Sequence, residues 1–149
     1  MRIRPSSYLR STAGFSLTEM IVSMAVAGIM VGGMVNGFMQ SAQRAEWSSY
    51  SLAAQNQALR GLEQMRAAKW DLYAYPSVDQ VVSTNFPGYW DVLDVPCAGG
   101  NVSYATNRFS ITTVSTDPPL KLVRVDCVWR FMNRGFYTNS AFTYRAPDQ

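Results

Sequence analysis

The sequence predicts an α+β fold in which a long N-terminal helix, its N-terminal half apolar enough to lie in a membrane, packs on a C-terminal antiparallel sheet. Three observations lead there. Between Glu19 and Arg44 lie 24 consecutive uncharged residues, Met20 to Gln43. Beyond Arg44 apolar residues recur at steps of three and four, and from Arg108 onward the step changes to two. The chain has 149 residues with 48% apolar and 15% charged content, which suits one modest core and not two.

The uncharged run comes first. At ~1.5 Å per helical residue it is long enough to cross ~30 Å of hydrocarbon, so a membrane segment is predicted over about 20–43. An ordinary secretory signal would have a shorter apolar region followed by a small-x-small cleavage site. Gln40-Ser41-Ala42-Gln43-Arg44 offers no clean one. Inside the run Gly28 and Gly32, then Gly33 and Gly37, form two adjacent GxxxG patterns. Small residues at this spacing let helices approach closely in lipid, and glycine is also simply common in such helices. Four glycines and Asn36 within ten residues lower helix propensity by ~1 kcal/mol per glycine relative to alanine, so local unwinding is a third reading.

After Arg44 polarity changes but the period does not. Trp47, Tyr50, Ala54, Ala58, Leu62 and Met65 form one stripe, which predicts an amphipathic helix continuing to about Asp71, so that the helical segment covers 15–72. Gly61 weakens it. Tyr73-Ala74-Tyr75-Pro76 ends it, because the residue before a proline avoids the helical region.

The stretch 76–107 has three prolines, Gly88, Gly99 and Gly100, and scattered aromatics without sustained period. It is expected to be a long irregular connection. Asp79, Asp91 and Asp94 supply oxygen atoms of the kind that bind calcium, but no ligand loop of recognised spacing is present, and they read as solvated loop aspartates.

From Arg108 the pattern is that of strands. Phe109, Ile111 and Thr113 alternate with polar neighbours, and Val123, Val125, Cys127, Trp129 and Phe131 share one face. Asp117-Pro118-Pro119 breaks the first pair, and Asn133-Arg134-Gly135 is a turn before Phe136 to Tyr144. Strands within 108–145 would form a meander with one face against the helix, inside a globular domain over 73–149.

Composition excludes several functions. Histidine is absent, which removes Ser-His-Asp and Cys-His nucleophile pairs and every histidine metal site. No phosphate-binding glycine loop is present, so no cofactor and no catalytic residue is predicted. The formal charge of +3 comes from Arg2, Arg4 and Arg10. Without them ten basic residues balance ten acidic ones, which disfavours a generally basic nucleic-acid binder. The early arginines fit the cytoplasmic flank of a membrane segment.

The residues just ahead of the apolar run are the most specific. In Ala13-Gly14-Phe15-Ser16-Leu17-Thr18-Glu19 a glycine precedes an aromatic and a carboxylate follows four positions later. This segment resembles the N-terminal motif of prepilins, the precursors of type IV pilins and of the pseudopilins of type II secretion. The resemblance implies a leader, 1–14, removed by a prepilin peptidase between Gly14 and Phe15, and N-methylation of Phe15. It further implies a role for Glu19 in assembly, pilin-like architecture for the rest, and other pilin or pseudopilin subunits as partners. The chain would sit in the bacterial inner membrane with its N-terminus cytoplasmic and its C-terminal domain periplasmic, before entering a filament as a minor subunit.

Two other readings compete. A DNA-uptake pilus component would touch phosphates through Arg124, Arg130 and Arg134; the neutral mature chain argues against this, and the first two read as solvent-facing sheet residues. An unrelated single-span membrane protein would show no processing at Gly14. Cys97 and Cys127 are the only cysteines. In a domain outside the cytoplasm they are expected to pair, the alternative being two buried thiols.

Overall fold

A computed structural model describes residues 14–95, 102–132 and 134–148. The chain divides into two compact units, Met1–Ala42 and Gln43–Gln149. Helix α1 (Leu17–Ala67) supplies the described helical part of the first and continues into the second. In the first unit every described residue is exposed, although Met, Ile and Val dominate. Water would not tolerate such a surface on a folded domain, whereas lipid or neighbouring helices would.

The second unit is an α+β layer pair. After α1 come β1 (Trp70–Asp71), β2 (Val78–Asp79), a 3-10 turn (Ser83–Asn85), β3 (Tyr89–Val92), β4 (Tyr104–Thr116), β5 (Pro119–Arg130) and β6 (Phe136–Arg145). Strands β3-β4-β5-β6 form one antiparallel sheet in that order, and β1-β2 a separate ribbon. The predicted α+β class holds, with the helix packed on the antiparallel sheet.

Alternation builds the core. Along β5, Val123, Val125, Cys127 and Trp129 are buried, as is Phe131 just beyond it, while Arg124 and Arg130 point to solvent. The helix meets this face with small residues: Ala54, Ala58 and Gly61 are buried at steps of four and three, flanked by Leu62 and Met65. A Cβ on Gly61 would lie 3.1 Å from both Phe109 Cε1 and Val125 Cγ1, so the weak helix former sits where the backbone runs close against the sheet. At one end, Trp129 stacks on Tyr137 with centroids 5.0 Å apart and lies near Trp47, Tyr50 and Phe131. Its indole N–H donates to Asn139 Oδ1 at 2.7 Å, satisfying the buried polar atom.

Under the helix lies a polar pocket of hydrogen bonds. The Gln57 amide donates to the Val92 carbonyl at 2.7 Å. Its Oε1 accepts from Asn107 Nδ2 at 3.2 Å and faces the Cys127 thiol at 3.6 Å. Buried polar groups of this kind cost free energy unless paired, so they favour one placement of this part of the helix over shifted ones.

The boundaries depart from expectation at three places. Helix α1 ends at Ala67, not near Asp71. Trp70 turns into the core at 3% exposure. Its N–H donates to Asp148 Oδ2 at 2.8 Å, its carbonyl accepts from the Asp148 N–H at 2.6 Å, and the Arg145 guanidinium donates to the Met65 carbonyl near the last turn. These long-range contacts hold the chain out of the helix where local pattern alone would extend it.

The stretch 76–107 is less irregular than expected, since it contains β2, β3 and the start of β4. All four residues of β3 are exposed, so no alternation marks it, and Asn107 puts a polar residue at a fully buried position of β4. Thr113 keeps the register of Phe109 and Ile111, opposite Lys121, yet is exposed, and beyond it a bulge between Thr113 and Ser115 shifts the pairing. The break at Asp117-Pro118-Pro119 is the tight connection of a long hairpin, with Thr116 paired to Pro119. In the β5-β6 turn the Arg134 N–H donates to the Phe131 carbonyl at 2.8 Å. Gly135 there has φ +149°, which favours glycine.

Candidate functional site

The site begins where α1 begins. Gly14, Phe15 and Ser16 lie outside the helix, and Phe15 is 76% exposed. Ser16 is the N-cap: its carbonyl accepts from the amides of Glu19 and Met20 at 3.0 and 3.1 Å, and its Oγ accepts from the Glu19 N–H at 3.3 Å. A serine in this role satisfies an amide left without an intrahelical partner. Thr18 Oγ1 lies 3.0 Å from the same oxygen. Glu19 is therefore the third residue of the helix, where a carboxylate faces the positive end of the helix dipole. Sequence reasoning passed over Ser16, although Ser16-Leu17-Thr18-Glu19 has the spacing of a capping box.

Downstream, the four glycines of the GxxxG pairs lie on one uninterrupted helix. A Cβ at Gly28, Gly32, Gly33 or Gly37 would meet nothing within 4 Å. At ~100° per residue Gly28 and Gly32 lie on one side and Gly33 and Gly37 about 140° around from them, so two different sides of the helix are narrow. Beside Gly37 a shallow notch is lined by Met34, Phe38 and Ser41. Asn36 accepts from Gln40 Nε2 one turn on, at 3.5 Å, pairing two polar side chains that a lipid setting would penalise.

The remaining sequence candidates are scattered. Arg124 Nε donates to Asp126 Oδ1 at 2.8 Å, and its Nη2 to Ser140 Oγ at 3.2 Å. Arg130 lies over the Phe136 ring, 5.8 Å from its centroid, and Arg134 is exposed in the turn. The Asp79 carboxylate pairs with Lys121, whose Nζ also donates to the Val81 carbonyl at 2.7 Å. Asp91 accepts from the Val92 N–H at 2.8 Å, and Asp94 is exposed. Among the described residues no three His, Cys, Asp or Glu side chains gather as a metal-binding group. Cys97 lies outside the described residues. Cys127 is a free, fully buried thiol, and burial pushes its pKa up to about 11.

Residues 9–35 match the family model described as the prokaryotic N-terminal methylation motif. No curated protein and no solved structure matches the chain. The matched residues span the capped helix start, Phe15, Glu19 and the first GxxxG pair. The helix that follows is long and apolar enough to cross a membrane. The chain thus carries the prokaryotic N-terminal methylation motif over residues 9–35, on an apolar helix whose C-terminal part packs on an antiparallel sheet, a layout consistent with that of a prepilin-like protein.

Proposed function

We propose that the chain is a structural subunit, of the minor kind, in a type IV pilus or a type II secretion pseudopilus. The observation that carries this reading is the coincidence of the methylation motif with an apolar helical segment that nothing within its own unit covers. A peptidase on the cytoplasmic side removes residues 1–14, and Phe15 becomes an N-methylated terminus. The helix holds the precursor in the inner membrane with the sheet domain in the periplasm. It then packs among neighbouring helices, with the two glycine pairs as the close-approach surfaces.

Glu19 is the residue that registers subunits in this scheme. A carboxylate near the edge of an apolar bundle is costly unless neutralised. The new Phe15 amine is the nearest candidate in its own chain, and the amine of an incoming subunit is the candidate in a filament. Low dielectric inside the bundle penalises a misplaced pair and so selects one axial step. The DNA-contacting alternative has less support, because Arg124 is committed to Asp126 and Ser140.

The test is processing and incorporation together. Gly14→Leu should leave a full-length precursor in the membrane and none in sheared filaments. Wild-type protein should be found in both fractions, shortened. A Gly14→Leu chain that is shortened and incorporated like wild type would contradict the proposal.

A further inference from the structure

We infer that Ser16 is a positioning residue for processing: by capping α1 it holds the helix start beyond the scissile bond and keeps the Gly14 carbonyl free of the helix. This inference rests on the proposed cleavage between Gly14 and Phe15. Hydrolysis there adds one water across the amide, leaving a Gly14 carboxylate and a Phe15 amine, and the attacked atom is the Gly14 carbonyl carbon. A peptide bond inside a helical turn presents that carbon poorly, because its oxygen is engaged by an amide further along and its backbone is wound.

The structure supplies the device that prevents this. The first helical residue is Leu17, and the carbonyl that accepts the first intrahelical bonds is that of Ser16. The Ser16 hydroxyl reinforces this choice by taking the Glu19 amide. Two residues, Phe15 and Ser16, thus separate the Gly14 carbonyl from the first turn.

Removing the hydroxyl changes which residue is the best cap. Alanine is a poor N-cap and the best helix former, so Ser16→Ala favours growth of the helix backwards. The nearest residue upstream that is acceptable as a cap is Gly14 itself. With Gly14 as cap, Phe15 becomes the first helical residue, and the Gly14 carbonyl becomes the acceptor of the first helical hydrogen bond. The bond to be cut is then withdrawn into the helix. Asparagine and threonine also cap, so Ser16→Asn and Ser16→Thr keep the helix start where it is.

The experiment follows conversion of the full-length precursor to the mature chain in membranes containing prepilin peptidase, for wild type and the three variants, with membrane insertion measured in parallel. The expected result is conversion about fivefold slower for Ser16→Ala at equal insertion, the shift that ~1 kcal/mol of capping represents. Ser16→Asn and Ser16→Thr should convert at close to the wild-type rate. Wild-type speed in Ser16→Ala overturns the inference. So does slow conversion of Ser16→Asn and Ser16→Thr alike, which would mean that the peptidase reads the serine itself. If wild type is not cut between Gly14 and Phe15, the proposed function falls with it; cleavage of wild type at that bond leaves the function standing whatever the variants do.

Discussion

Glu19 shows how much one residue owes to its position. As third residue of the helix it has its backbone amide held by Ser16, while its carboxylate is exposed within its own unit. Glu19→Ala is therefore expected to insert in the membrane and be cleaved, yet to enter filaments poorly. Glu19→Gln, which keeps shape and removes charge, should behave the same if an ion pair sets the register. The ratio of each variant in sheared filaments to that in membranes decides this, and normal ratios for both would sink the assembly role. Cys127 makes a separate prediction. Its thiol is raised from 9.0 to about 11 by burial, so the folded state holds its proton where the unfolded chain has lost it. The stabilising contribution is full below about pH 9, falls between pH 9 and 11, and is gone once the pH passes the folded value. Denaturant midpoints of the reduced protein should drop across this window, and the extra drop should be absent from Cys127→Ala. The motif matched over residues 9–35 was legible because the spacing of Gly14, Phe15 and Glu19 is specific; Ser16 hid in plain view because a lone serine carries no signal until the helix start is known.

Between elements, the central fact is how closely α1 approaches the sheet at Gly61. Sequence reading sees only a residue that weakens a helix, since the two atoms that demand glycine, on Phe109 and Val125, are far away in the chain. Gly61→Leu should destabilise the sheet domain by ~1–3 kcal/mol through overpacking. Alanine at Gly28 or Gly32, where a Cβ meets nothing, should leave that domain's unfolding unchanged. An unaltered midpoint for Gly61→Leu would show that the close approach is not real. Trp129 tests the opposite error, removal of volume. It is 1% exposed, and Trp129→Ala should cost ~3–5 kcal/mol in thermal or denaturant unfolding. The stripe from Trp47 to Met65 and the alternation of β5 were readable because one face of each is buried. Strand β3 and the start of β4 were not, because β3 is exposed on both faces and Asn107 spends a buried position on a hydrogen bond to Gln57. The helix end was misjudged for a related reason, as Trp70 is held by Asp148, a contact across 78 residues.

For the whole molecule the division into an apolar helical unit and a sheet unit matters most. A chain starting at Gln43 keeps the buried helix face and the sheet, and it should remain soluble and unfold in one cooperative step. The clamp joining Trp70 to Asp148 and Arg145 lies within that unit. The Trp70 amide and then the Arg145 guanidinium hold the Asp148 carboxyl below its ordinary range. The stability this adds is present above the usual carboxylate range and is lost as pH falls through the lowered value. The proposed function, however, hangs on one bond, that between Gly14 and Phe15. The most direct measurement is the mass of the N-terminal peptide of the protein recovered from cells that contain prepilin peptidase. The account predicts a chain that begins at Phe15 and carries one methyl group on its amine. A terminus still at Met1, or a cut at any bond other than Gly14–Phe15, would contradict it.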